Sequence, residues 1–313
     1  MVRIGYFGYR GWAFNLLDRL LSGVDPKKSE IVVTGTVEYR EEEIAYRRFP
    51  NLQFINPKDG PALEALARSH ALTLALFYGW SWMVPDALTR SLDCLCLHPS
   101  ILPKYRGGTP FQHQILNGET EGGLTIFKMT DVLDGGPILQ QRQFSLLGTL
   151  REIFERVVDS GTEATLQIIR QYEEGDVTMT PQANLGLNPP YKRRKPSESE
   201  LTLEQLAAMS ARDFYNFVRA LDDPFPNCFI RLSQDEKLLV KEVEIITRPP
   251  AHWTRFDGTP TSVGDATVFQ LRDGYAKLVR HAIKEEEPVP VKGFTKTPSV
   301  SATRTLHGDR AVE

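Results

Sequence analysis

The chain has 313 residues, 41% of them hydrophobic, and a formal net charge of −3, with a pI near 6.1. That length suffices for two domains, and the charge excludes a global basic field that would draw the chain onto nucleic acid. No run of about 18 apolar residues occurs, so no membrane span is expected, and three cysteines, two of them two apart, do not make a disulfide framework.

The first half alternates strand and helix patterns. Val2–Phe7 is a short apolar run closed by Gly8, and Phe14, Leu17, Leu20 and Leu21 then recur at helical spacing. The N-terminal MVRIGYFGYRGW reads as a strand and turn, without the basic-then-apolar order of a secretory leader, so a reduced, cytoplasmic setting is the expectation. Glu30–Thr36 is a second strand, Pro61–His70 a helix, Leu72–Phe77 a buried strand, Pro85–Leu92 a short helix and Cys94–His98 the next strand. Phe111–Asn117 reads as a helix stopped by Gly118, Gly123–Met129 and Pro137–Phe144 as strands, and Leu150–Tyr172 as a long amphipathic helix. Strands separated by helices predict a mostly parallel, Rossmann-like α/β sheet covered on both faces, with ligands bound where loops leave the C-terminal strand ends.

The composition then changes. Residues 1–183 are expected to form the first domain and 184–199, with its prolines and basic cluster, a linker. Residues 200–283 follow as a smaller β-rich domain: Leu203–Leu221 reads as helical, and Cys228–Leu232, Leu238–Ile246, Ala266–Leu271 and Ala276–Ala282 as strands. Residues 284–313 form a polar tail without periodicity, expected to be flexible or wrapped on the surface.

On the Cys94–His98 strand, alternate side chains share a face, so Cys94, Cys96 and His98 point one way and Leu95 and Leu97 the other. A histidine at the open end of a buried strand suits proton transfer near neutral pH; packing or capping is the plainer alternative. Beyond it, Pro99–Pro103 fixes the backbone as it leaves the strand, and Arg106-Gly107-Gly108 turns it sharply, the glycines allowing close approach to a ligand. A second rigid loop, Asp131–Pro137, offers two carboxylates, either as turn residues or as partners that orient His98. No metal-ligand spacing is present, so no metal is expected.

The stretch His98–Leu139 resembles the signature of the formyltetrahydrofolate-dependent formyltransferases, a family that includes tRNA, glycinamide ribonucleotide and nucleotide-sugar enzymes. Ser100, Leu102, Pro103, Arg106, Gly107, Gly123, Thr125, Asp134, Gly136 and Pro137 match its pattern. More weakly, Phe77–Leu88 is similar to the family's pterin-wrapping segment, and Phe214–Ile230 resembles the start of its β-barrel-like, OB-like C-terminal domain. The resemblance runs from Met1 to Ala282. It implies formyl transfer from N10-formyltetrahydrofolate to an amine, with His98 polarising the formyl oxygen and Asp134 holding His98 and relaying the amine proton. It further implies folate contacts at Phe77, Gly79, Trp80, Met83, Val84, Asp131, Leu133 and Gly135, and acceptor contacts at Ser100, Lys104, Tyr105, Arg106, Gly107 and Gln112. Tyr78 and Trp82 join Trp80 and Lys104 as expected walls of the acceptor cleft.

One position departs from the family pattern. Where it has asparagine two residues before the histidine, this chain has Cys96, and a thiol is a poor oxyanion donor. Gln112, Gln114, a water or a backbone N–H could supply the donor. Alternatively, Cys96 could act covalently, or the chain could be a catalytically weak, folate-binding relative. As acceptor, the segment Val37–Pro50, with Glu41-Glu42-Glu43, speaks against tRNA, and a small amine is favoured, foremost a nucleotide-linked amino sugar, with hydroxyornithine-type precursors as another class. A homodimer through the second domain is a further expectation.

Overall fold

A computed structural model describes residues 1–36, 52–223, 225–231, 236–246, 261–263 and 266–285. The acidic segment Val37–Pro50 lies outside the described residues, as does the tail from residue 286. The chain divides into two compact units, one comprising Met1–Gln114 and Glu119–Arg193, the other beginning at Arg194 and including Ile115–Gly118.

In the first unit, strands β1 (Val2–Gly8), β2 (Ser29–Thr36), β3 (Gln53–Ile55), β4 (Leu74–Tyr78), β5 (Asp93–His98), β6 (Glu121–Lys128) and β7 (Ile138–Ser145) form one sheet in the order β3-β2-β1-β4-β5-β6-β7. The first five are parallel, whereas β6 runs antiparallel to β5 and to β7. The strand order reverses between β1 and β4, which opens a crevice beyond their C-terminal ends, where ligands of such sheets bind.

Helices α1 (Gly11–Gly23) and α5 (Leu150–Glu174) belong to one face, to which Leu97 and Leu124 point; α2 (Gly60–Ser69) and α3 (Asp86–Ser91) cover the other. α5 begins at Thr149, whose hydroxyl accepts from Glu152 N while Glu152 reaches back to Thr149 N, and ends at Gly175 with φ +73°. Both caps satisfy backbone groups that a helix end leaves orphaned. Its inner stripe, including Ile153, Val157, Ala164 and Ile168, is buried, and each isoleucine or valine there contributes ~1.5–3 kcal/mol by burial. Mid-helix Gly161 permits the close packing: a β-carbon there would stand 2.8 Å from Leu16 and 3.0 Å from Leu97. A last short helix, α4 (Pro110–Leu116), follows the loop after β5.

The second unit holds β8 (Glu200–Leu201), α6 (Leu203–Ala208), α7 (Ala211–Ala220), β9 (Cys228–Arg231), β10 (Glu236–Ile246), β11 (Thr261–Val263), β12 (Ala266–Leu271) and β13 (Gly274–Glu285). Its sheet order is β11-β12-β13-β10-β9-β8, antiparallel except for β8 beside β9. Phe214, Phe217, Ile230, Val240 and Phe269 lie in its core. The β-rich second domain read from the sequence is therefore present. Among the described residues, no helix is long and apolar enough to cross a membrane.

Candidate active site

The site is built on β5. Cys96 pairs with Phe77 of β4 and Phe127 of β6, and His98 with Thr125, so Cys96 and His98 share the face opposite Leu97. Cys94 on that face packs with Phe7, Ala75 and Phe77.

His98 is buried at the strand end. Its Nε2 lies 2.8 Å from the carbonyl of Tyr105, and a carbonyl only accepts, so Nε2 carries the proton. Its Nδ1 lies 3.5 Å from Oδ2 of Asp134, and the same oxygen accepts the N–H of Gly107 at 2.7 Å. The carboxylate oxygen thus faces the second ring nitrogen. The geometry presents a carboxylate that orients an imidazole whose other nitrogen is a donor. An incoming oxygen gains that donor by sharing it with, or displacing, the Tyr105 carbonyl.

The backbone that carries these groups is unusual. Tyr105, Thr109 and Asp134 have φ of +58°, +49° and +48°, a region costly for non-glycine residues and held only when surroundings over-determine it. The turn after β5 is fixed from beneath by Thr125, whose Oγ1 donates to Ser100 O and accepts from Leu102 N and Gln141 Nε2. Ser100 is fully buried and its hydroxyl donates to Lys104 O.

Several expected ligand contacts therefore have other work. Ser100 braces its own turn. Arg106, also buried, donates through Nε to Leu133 O at 2.9 Å and through Nη1 to Leu185 O and Asn188 O, so its guanidinium clamps backbone rather than greeting an acceptor. Gly107 and Gly108 lack side chains for the sake of the chain's own segment 190–193: a β-carbon on either would collide with the backbone of Tyr191 or Arg193. Tyr105 stacks on Tyr191 at 5.3 Å and donates its hydroxyl to Glu119. Gln114 donates to Pro99 O and Pro110 O, which removes it as a spare donor. Gln112 is buried and its Nε2 has no partner among the described residues. Lys104 is exposed.

The expected folate residues separate in the same way. Phe77 is a core ring stacked on Phe7 at 4.5 Å, and Val84 is core as well. Tyr78, expected in the cleft, points to the opposite face, where its hydroxyl meets Thr165 at 2.8 Å. Met83, Asp131 and Leu133 are exposed, and Gly135 packs near Val132. Trp80 and Trp82 meet edge-on at 5.2 Å, Trp82 meets Tyr9 at 4.4 Å, and the Arg10 guanidinium lies over the Tyr9 ring. Gly79, at φ +66°, lies against Arg10. Tyr9 and Arg10, unremarked in the sequence, thus stand at the β1–β4 crevice; their place directly after the first strand is the signal that could have found them.

Burial pushes the Cys96 thiol far above its ordinary range, and the Asp134 carboxylate raises it further. Cys94 is pushed up to about 12, mainly by burial. Cys96 therefore stays a neutral thiol, which argues against its use as a nucleophile.

The buried histidine–carboxylate pair thus stands at the C-terminal end of a strand of a doubly wound sheet, the end at which such sheets bind ligands. Residues 32–169 match the family model described as "Formyl transferase". Methionyl-tRNA formyltransferase of Allorhizobium ampelinum is 26% identical over 258 residues, covering 81% of this chain and 78% of that protein. Across the curated relatives the chain matches, the matched share runs down to 30% of the relative's length. A sugar N-formyltransferase from Shewanella sp. superposes with TM-score 0.62 at 18% identity, over 77% of this chain and 97% of that one. HypX from Aquifex aeolicus, solved with tetrahydrofolic acid, superposes with TM-score 0.63 at 18% identity, over 91% of this chain and 44% of that one.

Proposed function

We propose that this protein transfers a formyl group from N10-formyltetrahydrofolate to a primary amine. The observation that carries this reading is the pair His98–Asp134 within a domain that matches the formyl transferase family; the tetrahydrofolate-bound relative supports the donor class. In this reaction the amine nitrogen bonds to the formyl carbon, and the His98 N–H stabilises the oxyanion that forms on the formyl oxygen. Asp134, whose Oδ2 faces His98 Nδ1, accepts the amine proton as its carboxylate; the carbon–N10 bond then breaks and that proton passes to the folate nitrogen. Folate contact falls to the exposed residues Met83, Asp131 and Leu133 and to the Trp80–Trp82–Tyr9 cluster.

For the acceptor, a small amine is the reading we adopt, with a nucleotide-linked amino sugar foremost. It rests on Glu41-Glu42-Glu43 and an overall charge of −3, which oppose a phosphate-tracking surface. The second reading, charged initiator tRNA, draws on the names of the curated relatives. Turnover of formyltetrahydrofolate by the purified protein with nucleotide amino sugars, hydroxyornithine and methionyl-tRNA separates them. Transfer to a small amine with none to tRNA is expected; transfer to tRNA alone overturns the small-amine reading. Folate binding without transfer to any amine overturns the enzymatic one.

A further inference from the structure

The end of the expected first domain, from Thr180, and the first half of the expected linker 184–199 are bonded to the loops that carry His98's partners. Thr180 exchanges two backbone hydrogen bonds with Ile138, at 2.7 and 2.8 Å. Tyr191 N donates to Arg106 O at 2.7 Å, and Gly108 N donates to Tyr191 O at 2.9 Å. Between these anchors, Leu185 O and Asn188 O accept from Arg106, and Leu185 packs near Gly135. Residues 180–191 therefore form a strap over the loops that carry His98's two partners.

Within the strap one side chain is aimed at the catalytic carboxylate's own backbone. Gln182 Nε2 donates to Asp134 O at 3.0 Å and to Gly136 O at 2.7 Å. Its Oε1 is buried and has no partner among the described residues. A side-chain amide offers two N–H donors at a fixed angle, and here one goes to the carbonyl of Asp134, the residue held at φ +48°, and the other to the carbonyl two residues on. Arg106 donates to Leu133 O, the carbonyl that precedes Asp134, so the peptide groups on both sides of that residue are held.

We propose that Gln182 is a positioning residue for the His98–Asp134 pair: its amide fork holds Asp134 in its left-handed conformation, so that Oδ2 meets both His98 Nδ1 and Gly107 N–H. This rests on the formyl-transfer reading only for its kinetic arm. A misplacement of about 1 Å in such a constellation costs roughly a hundredfold in rate.

The test uses the full chain with Gln182→Met, which keeps the length and loses both donors, and Gln182→Glu, which keeps the shape and turns the fork into acceptors. The first readout is the ¹⁵N shifts of the His98 ring nitrogens at a fixed pH, assigned with His98→Gln as the reference. Both variants are expected to move the Nδ1 signal while that of His70 stays unchanged. The kinetic readout is a drop in kcat on the order of tenfold to a hundredfold, with KM for formyltetrahydrofolate within about threefold. An unchanged His98 spectrum in a folded Gln182→Met variant overturns the inference, as does a wild-type kcat. If Gln182→Met fails to fold, the spectrum of Gln182→Glu decides by the same criterion. Should the wild type transfer formyl to no amine, the functional reading falls, and the spectral arm still decides the role of Gln182.

Discussion

At the scale of single residues, the site turns on where protons and donors are committed. His98 has one nitrogen on the Tyr105 carbonyl and one on Asp134, so its alanine variant loses both the donor and the relay. His98→Ala is expected to lower kcat by roughly 10²–10⁴ while formyltetrahydrofolate still binds, as titration calorimetry or fluorescence quenching would show; activity within a fewfold of wild type would sink the assigned role. His98, Asp134 and Cys96 were legible in the sequence because strand alternation and the motif around them set their places. The fate of Ser100 and Arg106 was not, because a polar side chain in a ligand-site motif looks the same whether it binds substrate or braces backbone. Only the partners at Lys104, Leu133 and Asn188 distinguish the two, and these lie up to 82 positions away.

At the scale of elements, glycine carries much of the architecture. Gly161 lies where α5 meets the sheet beneath Leu97 and Leu124. Gly161→Val is expected to destabilise the protein by about 1–3 kcal/mol through overpacking, read as a fall in the urea midpoint at unchanged slope; an unchanged midpoint would show that α5 yields without cost. Gly107 and Gly108 make the same point for the strap. The alternation of strands and helices was plain from periodicity, yet the antiparallel turn of β6 and β7 was not, since period 2 reports a strand and its faces but not its direction. Likewise the strap has no hydrophobic period, because it is held by backbone and polar side chains, so its sequence looks like a spacer.

At the scale of the whole molecule, the buried thiols set a limit on the alkaline side. Cys94 in the first unit and Cys228 in the second are each pushed up to about 12, chiefly by burial, against ~8.5 for a free thiol. A group whose folded pKa is raised keeps its proton in the native state when the unfolded chain has lost it, so its stabilising contribution is complete below about pH 8.5 and fades as pH climbs toward 12. The Tm is therefore expected to fall from pH 8.5 to 10.5, and Cys228→Ala should flatten that slope whatever it costs at neutral pH. An equally steep decline in the variant would assign the loss to other groups, among them Tyr6 and Tyr78, which burial also raises.

The strap has a consequence for how the protein comes into being. Contacts such as Gln182 with Asp134, 48 positions apart, and Arg106 with Asn188, 82 apart, close only after the intervening strands and α5 have been synthesised and laid down. Loop-closure entropy must be met before such distant partners reward it. A nascent chain that has emerged only as far as α5 can own every strand of the first sheet and still lack the contacts that hold the Asp134 loop, which wait for the last connecting segment.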